Sequence, residues 1–421
     1  MMKQYLRRVA YALTRKRVDE AALPVREVRL ARSALSFFHL STNPILSFPH
    51  EGALWYFRAC PEIRTAEAYW DGVRAEFFDS LDRLHISETH FSQELPIATT
   101  FDAGAVEAFR AYTARKWQEP DFRRMRMNAD ELALRRGFSI WADGQTYDEA
   151  FFEAFAMHDL PAGCRPIAVY FLWTIRSAAA NYRTCGLVRG TRYAFFAASK
   201  AMASRIVAEE LSMAERITPS EWCRLTTDDG NTWFGLRSAS APGHRMADVR
   251  MRPDPRVQKA LLELNVLDVI CHQPDHGPNN YNVYTDERGT VSVCAFDNDN
   301  AQTFFPWMTA EQSLSSCAPL VQNGRIHRPH LPASTAEALE RTDTARLRRR
   351  LKPYLNALQI AAVMYRLNAL RNAVRATTQA DPLFLRADDQ WNDATVAAEL
   401  SGRYGRTYLS RLAEPADTPE G

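Results

Sequence analysis

The sequence predicts an α+β protein, and three observations carry that expectation. Apolar residues recur at spacings of three and four through much of the first 160 residues and again through the last hundred, the period of helices that bury one face. Between them lie runs rich in β-branched and aromatic residues, at Ile167 to Ile175, Tyr193 to Phe196 and Thr232 to Arg237. Tyr281 to Tyr284 and Val291 to Phe296 then read as the strands of a hairpin, joined by Thr-Asp-Glu-Arg-Gly, in which Gly289 supplies the positive φ of a tight turn.

Taken in order, residues 1–164 are expected to form a mainly helical N-terminal region, with clear periodicity at Ala105 to Trp117 and Tyr147 to Met157. The charged stretch Arg123 to Arg136 reads as a solvated helix face. The β-rich runs from Ile167 to Phe196 flank a turn-prone Cys-Gly-Leu-Val-Arg-Gly segment that holds Gly186 and Gly190. A helix from Ala198 to Ile217 follows, with Pro219 just past its end. The next helix, Val257 to Cys271, is apolar around most of its circumference and is expected to be buried. Pro274 and Pro278 stop it from continuing, so His-Gln-Pro-Asp-His-Gly-Pro-Asn-Asn must be a loop leaving a buried element. Pro353 to Leu370 is the strongest helical pattern in the C-terminal part, residues 376–421 are expected to form a helical segment with a polar tail, and no internal repeat is visible.

Composition narrows the function. With 421 residues and 46% hydrophobic content the chain can bury a large core, and length alone suggests two or three domains. Its 52 basic and 50 acidic residues leave a net charge of +2, unlike the one-signed surface of a nucleic-acid binder, so no nucleic-acid partner is expected. Six of the basic residues are lysines, so a reaction needing a lysine has few candidates. Seven cysteines without short paired spacing suggest a reducing compartment. The first twenty residues interleave Tyr5, Leu6, Val9 and Leu13 with Lys3, Arg7, Arg8, Arg15 and Lys16, an amphipathic basic helix without the apolar centre of a secretory signal. No apolar run approaches the roughly 20 residues needed to cross a bilayer. The expected location is the cytoplasm, or delivery from it by a non-classical route.

The chemistry concentrates around the hairpin. In an antiparallel pair the start of one strand lies beside the end of the other, so Asn280 and Asp297, seventeen positions apart, are expected neighbours. Both offer oxygen to a hard cation, as does Asp299. Asp275 precedes Asn280 by five residues, the spacing between the catalytic-loop Asp and the metal-binding Asn of kinases. Lys200 is the one lysine between Lys116 and Lys259, at the end of the run Ala-Phe-Phe-Ala-Ala-Ser. On the helix after it, 100° per residue sets Glu210 between two apolar stripes and Glu209 at their edge. A carboxylate on a buried arc needs a partner, which makes Glu210 the choice to pair with Lys200.

These residues carry a resemblance. Asp-His-Gly-Pro-Asn-Asn, a hairpin and then Ala-Phe-Asp-Asn-Asp resemble the catalytic and metal-binding core of the kinase-like superfamily, in particular its atypical phosphoinositide kinase and actin-fragmin kinase branches. The match covers about 30 residues strongly. It implies a two-lobed protein-kinase-like core over residues 165–375, with a small lobe about 165–245 and a large lobe about 246–375, extended by helices at both ends. It implies ATP and Mg2+ or Mn2+ as cofactors, Asp275 as the group that orients the acceptor hydroxyl, with His276 beside it, and Asn280 and Asp297 as metal ligands. Lys200 with Glu210 or Glu209, and a turn at Gly186 and Gly190, would serve the phosphates. Two departures stand out: His276 follows Asp275 directly rather than one residue later, and Asn298-Asp299 replaces the Phe-Gly after the metal-binding Asp.

Other chemistries fit less well. His272 and His276 have the spacing of a helical zinc pair, but Pro274 between them breaks the helix and no glutamate stands where a general base belongs. Asp297 to Met308 begins like a calcium loop yet has Gln302 at its sixth position and Met308 at its twelfth. Cys271 ends an apolar helix, where cysteine serves as a small hydrophobe. The expected activity is phosphoryl transfer to a hydroxyl of a protein, lipid or small molecule. The alternatives are a pseudokinase-like nucleotide-binding scaffold and a nucleotidyl (AMP) transferase on the same framework.

Overall fold

The computed structural model describes residues 20–38, 45–60, 65–82, 101–136, 147–185, 195–246, 249, 254–273, 276–277, 280–287, 289–298 and 320–401. The protein is a mixed α+β fold, and its chain divides into two compact units. One comprises residues 27–194 and 224–235; the other comprises 1–26, 195–223 and 236–421. The chain passes between them within three strands, at Arg26 and Glu27, at Cys223 and Arg224 and at Gly235 and Leu236.

The unit that holds residues 27–194 begins with strands where helix was expected. β1 (Val25–Leu30), β2 (Ser36–Phe38), β3 (Ile45–His50) and β4 (Ala53–Ala59) precede the first long helix. β2, β3 and β4 form an antiparallel meander, with Phe48 opposite Trp55 and Leu46 opposite Phe57. Among the described residues five helices follow: α1 (Ala66–Asp82), α2 (Ala103–Lys116), α3 (Pro120–Arg135), α4 (Glu149–Ala154) and α5 (Arg165–Cys185). Asp102 caps α2 by accepting from the Ala105 amide at 2.8 Å, satisfying one of the orphan donors of its first turn. The run Ile167 to Ile175 lies inside α5, not in a strand. Its aromatics fill the centre of the unit: Phe171 meets Phe77 at 4.8 Å and Phe109 at 5.5 Å, both edge to face. Each such pair adds about 0.5–1.5 kcal/mol to the burial of its area. Arg126, itself buried, lies 3.8 Å over the Trp117 ring, and the indole donates to Asp71 at 2.6 Å.

The other unit carries α6 (Phe195–Glu210), β5 (Ser220–Thr227), β6 (Thr232–Ala239), β7 (His244–Arg245), α7 (Pro255–Cys271), β8 (Tyr281–Thr285) and β9 (Val291–Ala295), the first stretches of β5 and the last of β6 being its share of those strands. Beyond them come β10 (Val321–Gln322), β11 (Arg325–Ile326), β12 (Leu331–Pro332), α8 (Ala333–Arg341), α9 (Thr344–Leu351), α10 (Ala357–Ala380), β13 (Leu385–Arg386) and α11 (Asp393–Ser401). The largest sheet has the strand order β1-β5-β6-β4-β3-β2, and a second has the order β7-β8-β9. α6 starts at Phe195 and ends at Glu210, so Lys200 stands inside a helix rather than at a strand's end. α7 forms the axis of the unit. From Val257 to Cys271 almost every side chain is buried, including the polar Gln258, Glu263 and Asp268. α10 begins with a capping box in which Asn356 and Gln359 satisfy each other's amides. Its Arg366, 2% exposed, donates to the Ile270 carbonyl at 2.8 Å and so ties α10 to the last turn of α7. Among the described residues no helix is long and apolar enough to cross a membrane. The basic N-terminal segment 1–19 and the tail 402–421 lie outside the described residues.

Candidate functional site

The site is built from the end of α7 and the hairpin that follows it. Asp254 caps the start of α7, accepting from the Arg256 amide at 2.7 Å, and Pro255 occupies a first-turn position that needs no donor. The helix stops at His272, which takes the left-handed conformation at φ 53°. The Gln273 amide then donates back to the Asp268 carbonyl at 2.8 Å, closing the final turn.

β8 and β9 pair antiparallel from Tyr281 opposite Ala295 to Thr285 opposite Val291. Their turn is closed by the Asp286 amide to the Thr290 carbonyl at 2.9 Å and by the Thr290 amide to the Asp286 carboxylate at 2.8 Å, with Gly289 at φ 74°. At the open end the Phe296 amide donates to the Asn280 carbonyl at 3.0 Å, one residue before Asp297. Asn280 and Asp297 therefore meet at one end of the hairpin. Asp297 is exposed and takes φ 57°, which turns the chain out of the strand. The Thr218 amide donates to the Ala295 carbonyl at 3.0 Å, so the segment ahead of β5 backs the same end.

A buried polar cluster lies behind it. Asp268 of α7 is 4% exposed; its carboxylate lies 2.6 Å from Nδ1 of His276 and accepts from the Tyr281 hydroxyl at 3.2 Å. The His276 and Tyr281 rings meet edge to face at 5.4 Å. Asn282, two residues beyond Asn280 and thus on the same strand face, donates to the Ala241 carbonyl at 3.0 Å. That bond holds the loop before β7 against β8 at Gly243, where a Cβ would fall 2.1 Å from the Val283 carbonyl oxygen.

The residues expected to serve the phosphates are arranged differently from the expectation. Lys200 and Glu210 belong to one helix, and ten residues at 1.5 Å each set them about 15 Å apart along its axis, too far to pair. Glu210 instead accepts from Arg350 at 2.7 Å and lies 3.1 Å from Arg346, both on α9. Glu209 accepts from Arg205 at 2.9 Å and from Arg350. Burial raises the Glu209 carboxyl, but the two arginines outweigh it and hold the group below the usual range. These glutamates clamp α6 to α9. Asp275, Asp299, Gly186 and Gly190 lie outside the described residues. Among the described residues no group of three or more His, Cys, Asp and Glu side chains converges as a metal cluster. The Cys271 thiol is pushed up to about 12 by burial, which removes it as a nucleophile at neutral pH.

Sequence reasoning missed Asp268. Its signal was present: a carboxylate in an otherwise apolar helical stretch, seven residues before Asp275, must find donors when the helix is buried. No protein-family model matches this chain, and no curated protein matches it.

Proposed function

We propose that the protein is an ATP- and metal-dependent phosphotransferase of the kinase-like type, acting on a hydroxyl acceptor. The observation that carries this reading is the hairpin register that sets Asn280 beside Phe296 and Asp297 at the foot of the loop leaving α7. An amide oxygen and a carboxylate suit a hard divalent cation, which prefers oxygen ligands. When bound, magnesium-ATP supplies the phosphoryl group and the charge that offsets its transfer. Asn280 and Asp297 hold the cation, and Asp275, five residues before Asn280, accepts the acceptor's proton. In this reading the core is two-lobed and its phosphate-binding cation is a residue other than a Lys200 paired to Glu210.

The arginine clamp on Glu210 favours a second reading, a nucleotide-binding scaffold without turnover, because the carboxylate that would orient a phosphate-binding lysine is engaged elsewhere. One experiment separates the two. The full chain is incubated with magnesium and ATP labelled at the α or the γ position, and hydrolysis and self-labelling are followed beside Asp297→Ala. Release or transfer of γ label that disappears in Asp297→Ala supports the phosphotransferase. Transfer of α label identifies nucleotidyl transfer. Neither, with ATP and metal still raising the melting temperature, supports the scaffold. Unchanged γ turnover in Asp297→Ala sinks the assignment of the site.

A further inference from the structure

Asp268 holds together two points that the chain separates. His276 lies in the loop after α7, Tyr281 is the first residue of β8, and both bond the one Asp268 carboxylate, at 2.6 and 3.2 Å. His276 and the first residue of β8 are thus fastened to a single side chain. Asp268 differs from the other buried acid of α7, since Glu263 meets Arg216 whereas among the described residues no arginine or lysine pairs with Asp268. With the carboxylate 4% exposed, its hydrogen bonds are what make its burial tolerable. The short contact needs one hydrogen between the ring and the carboxylate, and an Nδ1–H tautomer donating to the carboxylate oxygen supplies it.

We infer that Asp268 is a positioning residue: it holds His276 with its hydrogen on Nδ1 and ties it to Tyr281, and so fixes Asn280, the residue before Tyr281, at the hairpin end. The kinetic consequence rests on the phosphotransferase reading; the state of the ring does not.

The test pairs Asp268→Leu, which fills the site without hydrogen bonding, with Asp268→Asn, whose amide can accept from Nδ1 and donate to the Tyr281 hydroxyl. The protein is labelled with 15N-histidine, and His276 is assigned among the ten histidines by its loss in His276→Gln. The wild type and Asp268→Asn are expected to show an Nδ1–H ring, and Asp268→Leu to lose it. In γ-phosphate turnover Asp268→Leu is expected to fall about 100-fold in kcat with KM for ATP within about 3-fold, while Asp268→Asn stays within about 10-fold of wild type. A wild-type ring carrying its hydrogen on Nε2 alone overturns the proposal, and that measurement needs no variant to fold. Equal turnover in Asp268→Leu and wild type overturns it as well. If the wild type transfers no phosphoryl group, the phosphotransferase reading fails while the ring still decides the role of Asp268.

Discussion

Replacing Glu210 by Gln and Arg350 by Met, singly and together, measures the clamp between α6 and α9 and tests its distance from nucleotide chemistry. Unit charges about 4 Å apart attract by about 4 kcal/mol at an effective dielectric near 20. The Glu210 side chain is 5% exposed, so desolvation opposes much of that attraction, while Arg350 is 33% exposed and shares itself with Glu209. The expected coupling between the two sites is therefore about 1.5–3 kcal/mol. Glu210→Gln alone should lose about 2–4 kcal/mol, because it also leaves Arg346 without its carboxylate. A second cycle pairs Glu210→Gln with Lys200→Met. Sites about 15 Å apart along a helix should be additive to within about 0.5 kcal/mol. Urea unfolding of the four proteins in each cycle supplies both numbers. Coupling below about 0.5 kcal/mol for Glu210 with Arg350, or above it for Glu210 with Lys200, would refute the reasoning.

Two glycines with positive φ should respond unequally to alanine. At Gly243 the added Cβ meets the Val283 carbonyl oxygen at 2.1 Å, and at Gly289 it meets open space, so unfolding should show a loss on the order of 3 kcal/mol or more for Gly243→Ala and about 1 kcal/mol for Gly289→Ala. The half-buried Glu76 is pushed up to about 7 by desolvation, with repulsion from Asp79 adding to it. Its folded value lies above the unfolded one, so the stability linked to it is complete below about pH 4.5 and is lost as pH rises through about 7. Glu76→Gln should flatten the melting temperature across that window, and an unchanged slope counts against the shift. Glu209 has the opposite sign: its folded value is depressed, so its contribution is present above the unfolded value and lost as pH falls through the folded one. Arg350→Met should therefore weaken the acid-side loss of stability.

Much of the hairpin and its approach was legible in the sequence because local physics decides it. Prolines end α7, Gly289 turns the hairpin, and antiparallel geometry then brings Asn280 to Asp297 whatever the rest of the chain does. Where local preference and burial disagreed, tertiary packing decided. Ile167 to Ile175 has strand-like composition, yet a short apolar run buried all round packs equally well as a helix, and its neighbours in the Phe77, Phe109 and Trp117 cluster made it α5. Among the strands from Val25 to Ala59 that were passed over, β1 lies beside β5, far along the chain, a pairing that no local pattern announces. The same division runs through the site. Sequence by itself placed Asn280 beside Asp297, whose meeting depends on one turn. Only the tertiary structure chose the partners of the buried charges, Arg350 for Glu210 and His276 with Tyr281 for Asp268, because a buried carboxylate is satisfied by whichever donors packing brings within about 3 Å.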